Sequence, residues 1–115
     1  MSFKKFGIWG NTEKEIFWKI LPEILSWAEK NKIKPFLTKR ISEKGSFDIE
    51  IINSKNDFNK MDFMLALGGD GTFLSLARVI QNRRVPILGI HLGDLGFLAK
   101  VTLKDLFHRL DQVAK

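Results

Sequence analysis

The chain has 115 residues, of which 44% are hydrophobic and 28% charged, with a net charge of +6 and no cysteine. That length fits one domain with a sizeable core, and the absence of cysteine excludes disulfides and thiolate metal sites and fits a reducing compartment. No apolar run approaches the length that spans a bilayer, and the start Met1-Ser2-Phe3-Lys4-Lys5 lacks a signal-peptide layout, so the expectation is a cytoplasmic protein without a membrane partner.

In chain order, Phe3 to Trp9 reads as a first strand with Gly10-Asn11 as its exit. Asn11 or Thr12 can cap the next helix, and Thr12 with Glu15 has capping-box spacing. Ile16, Phe17, Ile20, Leu21, Ile24, Leu25 and Ala28 recur at helical spacing and face a sheet. Pro22 falls inside that pattern and is expected to kink or split the helix, which ends near Asn31. Ile33 to Thr38 is a second strand, and Pro35 suits an edge better than a centre. Residues 39–46 read as a loop, Phe47 to Ile52 as a short strand, and Asn53 to Asp62 as polar and turn-rich.

The positive charges are mostly scattered. The tightest cluster, Lys30, Lys32, Lys34, Lys39 and Arg40, reads mainly as the solvated end of a helix and of the strand after it, with a ligand role as the alternative. No nucleic-acid module or aromatic-plus-basic stripe is present, so nucleic acid is not an expected partner.

Phe63 to Leu67 is a wholly apolar run and reads as a buried strand. It opens into Gly68-Gly69-Asp70-Gly71-Thr72, and Phe73 to Ile80 then forms a short helix. A glycine-rich strand-to-helix turn is where α/β proteins hold anions, because helix N-terminal N–H groups point outward at the positive end of the dipole. Glycine also permits φ > 0 and close approach of the backbone to a phosphate. An aspartate there is repelled by phosphates unless it holds a metal or takes a proton, and either role is catalytic. The competing reading is a tight turn with Asp70 as an N-cap. The loop lacks the Gly-Lys-Ser/Thr ending of a Walker A motif and is not Gly-x-Gly-x-x-Gly.

Asn82-Arg83-Arg84 place cations near the C-terminus of that helix. Val85 to Ile90 is another buried strand, opening into His91-Leu92-Gly93-Asp94-Leu95-Gly96-Phe97-Leu98. Thr102, with Asp105 at capping-box spacing, starts a terminal helix whose apolar face is Leu103, Leu106, Phe107, Leu110 and Val113. His108 on that helix reads as solvent-facing or as an amphipathic filler, with no role assigned. Alternating strands and helices imply an α/β fold: an open, mostly parallel sheet with helices on both faces. Ligands in such sheets sit beyond the C-terminal strand ends, which makes the loops at Gly68–Thr72 and His91–Phe97 neighbours on one crevice.

Together the two loops resemble the NAD kinase family. Gly-Gly-Asp-Gly-Thr alone is shared with diacylglycerol- and sphingosine-type lipid kinases, and phosphofructokinases carry a related loop. Gly89-Ile90-His91-x-Gly93-x-Leu95-Gly96-Phe97 separates the family from the lipid enzymes. The resemblance is sharp over residues 62–101 and topological elsewhere. It implies a Rossmann-like, phosphofructokinase-like N-terminal domain. It also implies transfer of a phosphoryl group from ATP or polyphosphate to the 2′-hydroxyl of the adenosine ribose of NAD, giving NADP with Mg²⁺ or another divalent cation. By motif match Asp70 is the base that accepts the hydroxyl proton. Gly71 and Leu74 approach NAD, Phe97 and Leu98 line the adenosine pocket, and Gly68, Gly69 and Thr72 form the phosphate-side loop. No residue is assigned as a metal ligand.

Structural alternatives stand beside these roles: Leu74 and Phe97 also fit as core residues, and His91 fits as a loop-shaping hydrogen-bonder. Ser75 departs from the family, many of whose members have a basic residue there. The family also continues into a β-rich domain carrying an Asn-Glu or Asn-Asp pair and much of the oligomer interface. That domain is absent from residues 1–115, so the expectation is an N-terminal domain, inactive in isolation, of an enzyme that is a homo-oligomer at full length. A lipid or sugar kinase of the same superfamily and a non-catalytic flavodoxin-like module are the alternatives.

Overall fold

The computed structural model describes residues 4–45, 47–81 and 84–92, together with residues 108, 111 and 112. Along the chain run β1 (Lys5–Gly10), α1 (Glu15–Lys30), β2 (Lys34–Thr38), α2 (Lys39–Gly45) and β3 (Ile51–Ile52). A 3-10 helix (Lys55–Lys60), β4 (Phe63–Gly68), α3 (Asp70–Ile80) and β5 (Ile87–His91) follow. The five strands form one parallel sheet in the order β3-β2-β1-β4-β5. The chain leaves β1 toward β2 and β3, then returns past β1 to β4 and β5. The direction of travel therefore reverses between β1 and β4, which is where open α/β sheets form a ligand crevice.

Strand alternation divides the core into two layers. Phe6, Ile8, Phe63, Leu65 and Leu67 point to one face and meet Phe17, Ile20, Leu21 and Ile24 of α1 and Ile41 of α2. Met64 and Ala66 point to the other face and meet Phe58 of the 3-10 helix and Leu76 and Ile80 of α3. Every residue of β4 is buried, which explains why its sequence is continuously apolar rather than alternating.

Several local expectations are corrected. The helix expected after Asn11 or Thr12 has Lys14 at its N-cap, with no side-chain cap. Asn11 Oδ1 instead accepts the Glu13 N–H at 3.0 Å, closing a turn before the helix, and Thr12 is buried with its hydroxyl unpartnered. Pro22 does not split α1. It lies on the exposed face, where water can take the carbonyl that its missing N–H leaves free. Residues 39–45 are a helix rather than a loop. The signal missed was Thr38, whose Oγ1 accepts the Ile41 N–H at 3.3 Å while Ile41 enters the core.

The expected strand at 47–52 shrinks to Ile51–Ile52, because Phe47 and Ile49 pack against the α1-side core instead of pairing. The turn-rich stretch that follows contains a 3-10 helix closed by a Ser54–Asp57 capping box. β2 is an inner strand in the sheet order, yet β3 opposes only Leu37 and Thr38. Pro35 therefore lies beside a locally free edge, which reconciles it with its position. Most of the expected terminal helix lies outside the described residues. His108, Asp111 and Gln112 are helical and exposed, and Asp111 Oδ1 accepts the Trp27 indole N–H at 2.8 Å.

α1 ends with Lys32 at φ 56°. The Lys32 N–H donates to the Glu29 carbonyl at 3.2 Å, and the Ile33 N–H donates to the Ala28 carbonyl at 2.9 Å. This is a Schellman closure whose left-handed position is ordinarily glycine. Lys32→Gly is expected to stabilise the fold by about 0.5–1 kcal/mol by removing the Cβ conflict of that conformation. Thermal unfolding tests this, and an unchanged or lowered midpoint refutes it. A second expectation concerns pH. Asp57 Oδ2 accepts the Asn53 and Ser54 N–H groups, and chiefly these two bonds hold its carboxyl below the usual carboxylate range. Its stabilisation is therefore complete above the unfolded carboxylate range and is lost as pH falls through the lowered native value. Asp57→Asn should flatten that part of the stability-against-pH curve in urea titrations between neutral and acid pH.

Candidate active site

The site begins at the end of β4, the buried strand beside the reversal point. One residue, Gly69, separates β4 from α3, so the helix starts within the glycine motif and not at Phe73 as its apolar spacing suggests. A Cβ on Gly68 would stand 2.3 Å from Thr72 Oγ1. Gly68 is thus bare so that the first turn of α3 can fold over the strand end. Gly69, the N-cap, has φ −116° and ψ −163°, and no glycine among the described residues has positive φ. The conformational freedom expected of this loop is therefore not what it uses. A Cβ on Gly69 or on Gly71 would meet nothing within 4 Å. Both positions are open on the ligand side of a helix N-terminus, where free N–H groups and the dipole favour negative charge.

Asp70 occupies the first helical position, and its side chain is 90% exposed. His91 ends β5 directly opposite Gly68 in the sheet register. Its Nε2 lies 3.1 Å from Asp70 Oδ1. The imidazole also stands edge-on to Phe73, with ring centroids 4.7 Å apart. Phe73 in turn lies over Gly89, where a Cβ would come within 3.2 Å of its ring. A chain of contacts thus runs from bare backbone at Gly89, through Phe73, to His91 and the carboxylate. His91, read from sequence as shaping its own loop, instead engages Asp70 across 21 residues. Among the described residues, only one carboxylate oxygen is held, and an oxygen without a partner there suits a proton acceptor.

Leu74 is 59% exposed, so it is not the core residue that helical spacing also allowed; Leu76 and Ile80 take that role. Thr72 is half-buried, and its carbonyl accepts the Ser75 hydroxyl at 2.9 Å. Phe97 and Leu98 lie outside the described residues.

On the opposite side of the Gly69–Thr72 turn the strand ends enclose a crevice of about 710 Å³, lined among others by Trp9, Thr12, Lys14, Arg40, Gly69 and Gly71. Its wall is fixed by two contacts that sequence reasoning missed. The Asn11 N–H donates to the Leu67 carbonyl at 2.9 Å, tying the exits of β1 and β4. The Trp9 indole N–H donates to Ser75 Oγ at 3.1 Å, tying β1 to α3. Nothing local in the sequence announces a pairing across 66 residues. Among the described residues no group of three or more His, Cys, Asp or Glu side chains can hold a metal ion, and no helix is long and apolar enough to cross a membrane. The described side chains alone therefore do not build a divalent-cation site.

A family model described as ATP-NAD kinase N-terminal domain matches residues 6–115. The NAD kinase of Thermoanaerobacter sp. (strain X514) is 33% identical over 112 residues, covering 97% of this chain and 40% of that protein. The NAD kinase of Hydrogenovibrio crunogenus is 34% identical over 114 residues, covering 96% and 39% respectively. This chain thus spans about 40% of the length of such relatives. A crystal structure of yeast NADH kinase complexed with NADH superposes with a TM-score of 0.68 at 15% identity, over 78% of this chain and 30% of that one. At that identity the superposition speaks for the fold.

The two kinds of glycine predict opposite outcomes. Gly71→Ala is expected to raise stability by about 0.5–1 kcal/mol, because its methyl meets open space and alanine loses less backbone entropy in a helix. Gly68→Ala is expected to lower it by about 1–3 kcal/mol through overpacking against Thr72. Urea unfolding of both variants decides, and equal losses would show that the space beside Gly71 is not open.

Proposed function

We propose, from the premise that this chain belongs to the NAD kinase family, that it is the domain carrying the catalytic base of a phosphotransferase acting on NAD. The reaction moves a phosphoryl group from ATP or polyphosphate to the 2′-hydroxyl of the adenosine ribose, giving NADP. The observation that carries this reading is Asp70. It is an exposed carboxylate at the head of an 11-residue helix, bonded on one oxygen to His91, and flanked by two glycines whose Cβ sides are open.

In the proposed step the 2′-hydroxyl gives its proton to the free Asp70 oxygen as its own oxygen bonds to the terminal phosphorus. The bridging P–O bond of the donor breaks, releasing ADP or a polyphosphate one unit shorter. Phosphoryl transfer needs positioning and charge stabilisation more than covalent help, and the N–H groups and dipole of α3 supply part of it. Gly69 and Gly71 admit the phosphates and ribose close to backbone, and Leu74 offers an apolar contact beside them. Phe97 and Leu98 are proposed for the adenosine pocket by their motif. A divalent cation, when present, neutralises donor phosphate charge. Among the described residues no group of His, Cys, Asp or Glu side chains would hold it. Localisation in the cytoplasm and a homo-oligomeric full-length enzyme belong to the same proposal.

The reading is tested by titrating NAD into the chain by calorimetry and assaying NADP formation by the full-length protein, wild type beside Asp70→Asn. Expected are NAD affinities within about threefold of each other and a turnover loss of roughly 10²–10⁴ in the variant, the range for removing a general base. Undiminished turnover in Asp70→Asn would remove the aspartate from the mechanism. Capture of a diacylglycerol or sphingoid base with no binding of NAD would move the protein to the lipid kinases.

A further inference from the structure

Asp70 and His91 reach each other from two elements whose backbones are both fixed. Asp70 is the first residue of α3, and His91 is the last residue of β5. The sheet register sets His91 directly opposite Gly68, so strand pairing itself brings the two side chains together. The imidazole is held in turn. Phe73 stands edge-on to it, with ring centroids 4.7 Å apart, and the Phe73 ring lies against bare backbone at Gly89. His91 Nε2 is 3.1 Å from Asp70 Oδ1. An ionised carboxylate only accepts hydrogen bonds, so Nε2 carries the proton and donates it.

This bond does little for stability. The Asp70 side chain is 90% exposed and that of His91 50%, and pairs held in water contribute little to a fold. Its effect is on direction. Asp70 stands at a helix head whose N-cap is Gly69, with no side-chain cap. A carboxylate in the first turn is drawn to the unbonded N–H groups there and to the positive end of the dipole. Folded onto them, Asp70 would cover the donors that favour a bound anion and occupy its own oxygens. His91 draws it the other way, toward the end of β5.

We propose that His91 is a positioning residue for Asp70. The bond from Nε2 to Oδ1 selects one Asp70 rotamer, clear of the N–H groups of α3 and with the other oxygen presented to the acceptor hydroxyl. His91 itself touches neither substrate nor reacting atoms and moves no proton. It acts on the rate only through the orientation of the base, since a reacting group misplaced by about 1 Å costs on the order of 10²-fold. Phe73 and Gly89 belong to the same device, because they fix the ring that fixes the carboxylate. The catalytic consequence rests on the phosphotransferase reading above; the orientation itself rests on the contacts.

The test combines an orientation readout with a rate. Three-bond NMR couplings to the Asp70 Hβ protons report its χ1 rotamer in the chain, and NADP formation by the full-length protein reports turnover. The variants are His91→Ala and His91→Gln; the glutamine amide nitrogen has the reach of Nε2 and donates without a ring. Expected couplings show one Asp70 rotamer in wild type and His91→Gln, and an average of rotamers in His91→Ala. Turnover is expected to fall about five- to fiftyfold in His91→Ala, with KM for NAD held within about threefold, and His91→Gln to restore most of it. In an Asp70→Asn background, His91→Ala is expected to cost less than about twofold more, because it acts through the carboxylate. Unchanged couplings in His91→Ala, no rescue by His91→Gln, or the same loss with and without the Asp70 carboxylate overturns the proposal. Rotamer averaging in His91→Ala beside undiminished turnover in Asp70→Asn keeps His91 as the group that orients Asp70 and removes the catalytic-base reading instead.

Discussion

The structure depends on a reversal made in one residue. β4 is buried over its whole length between β1 and β5, so its direction cannot yield, and α3 begins two positions after it ends. A turn that short requires the first helical turn to lie over the strand end. Bare backbone at Gly68 lets Thr72 do so. The helix N-terminus is thereby aimed out of the sheet at the point where the chain's travel reverses, and the positive end of its dipole becomes a fixed feature of the crevice. Burial of apolar β4 residues, which stabilises the domain, and presentation of Asp70, which does not, are consequences of the same geometry.

Around that helix head the two sides of the crevice differ in charge. On the β5 side stands a carboxylate held by an imidazole, with Phe73 fixing the imidazole. On the β2 side stand two cations with no carboxylate among the described lining residues. Hydrogen bonds that pin the two sides together connect residues far apart in sequence: Asn11 to Leu67 and Trp9 to Ser75. Ser75 is the link between β1 and α3, and the positive charge that lines the crevice comes from Lys14 and Arg40 on other elements.

Legibility differed by the range of the interaction. The buried strand 63–67, the amphipathic helix through Ile24 and Ala28 and the parallel α/β class all follow from short-range patterns, and the structure has them; of the second glycine-rich loop, residues 93–98 lie outside the described residues, and its first residue, His91, stands beside Asp70. α2 was missed because Thr38 both ends a strand and caps a helix, and one residue with two roles leaves no gap to read. The strand expected at residues 47–52 was too long because alternation reports which side chains are buried but not whether a neighbouring backbone is within reach. Pro35 reads as an edge residue and lies on an inner strand, since an edge is a local property of the ladder.

By itself the sequence determined that this is a parallel α/β chain with an aspartate in a glycine turn between strand and helix, and which family those motifs match. These are properties of residues near one another in the chain, set by periodicity, turn chemistry and spacing. Only the tertiary structure decided which glycines are bare for packing and which for open space, that His91 engages Asp70, and that Lys14 and Arg40 border one crevice. Those facts depend on the order of strands in the sheet, which brings together side chains that no local pattern links.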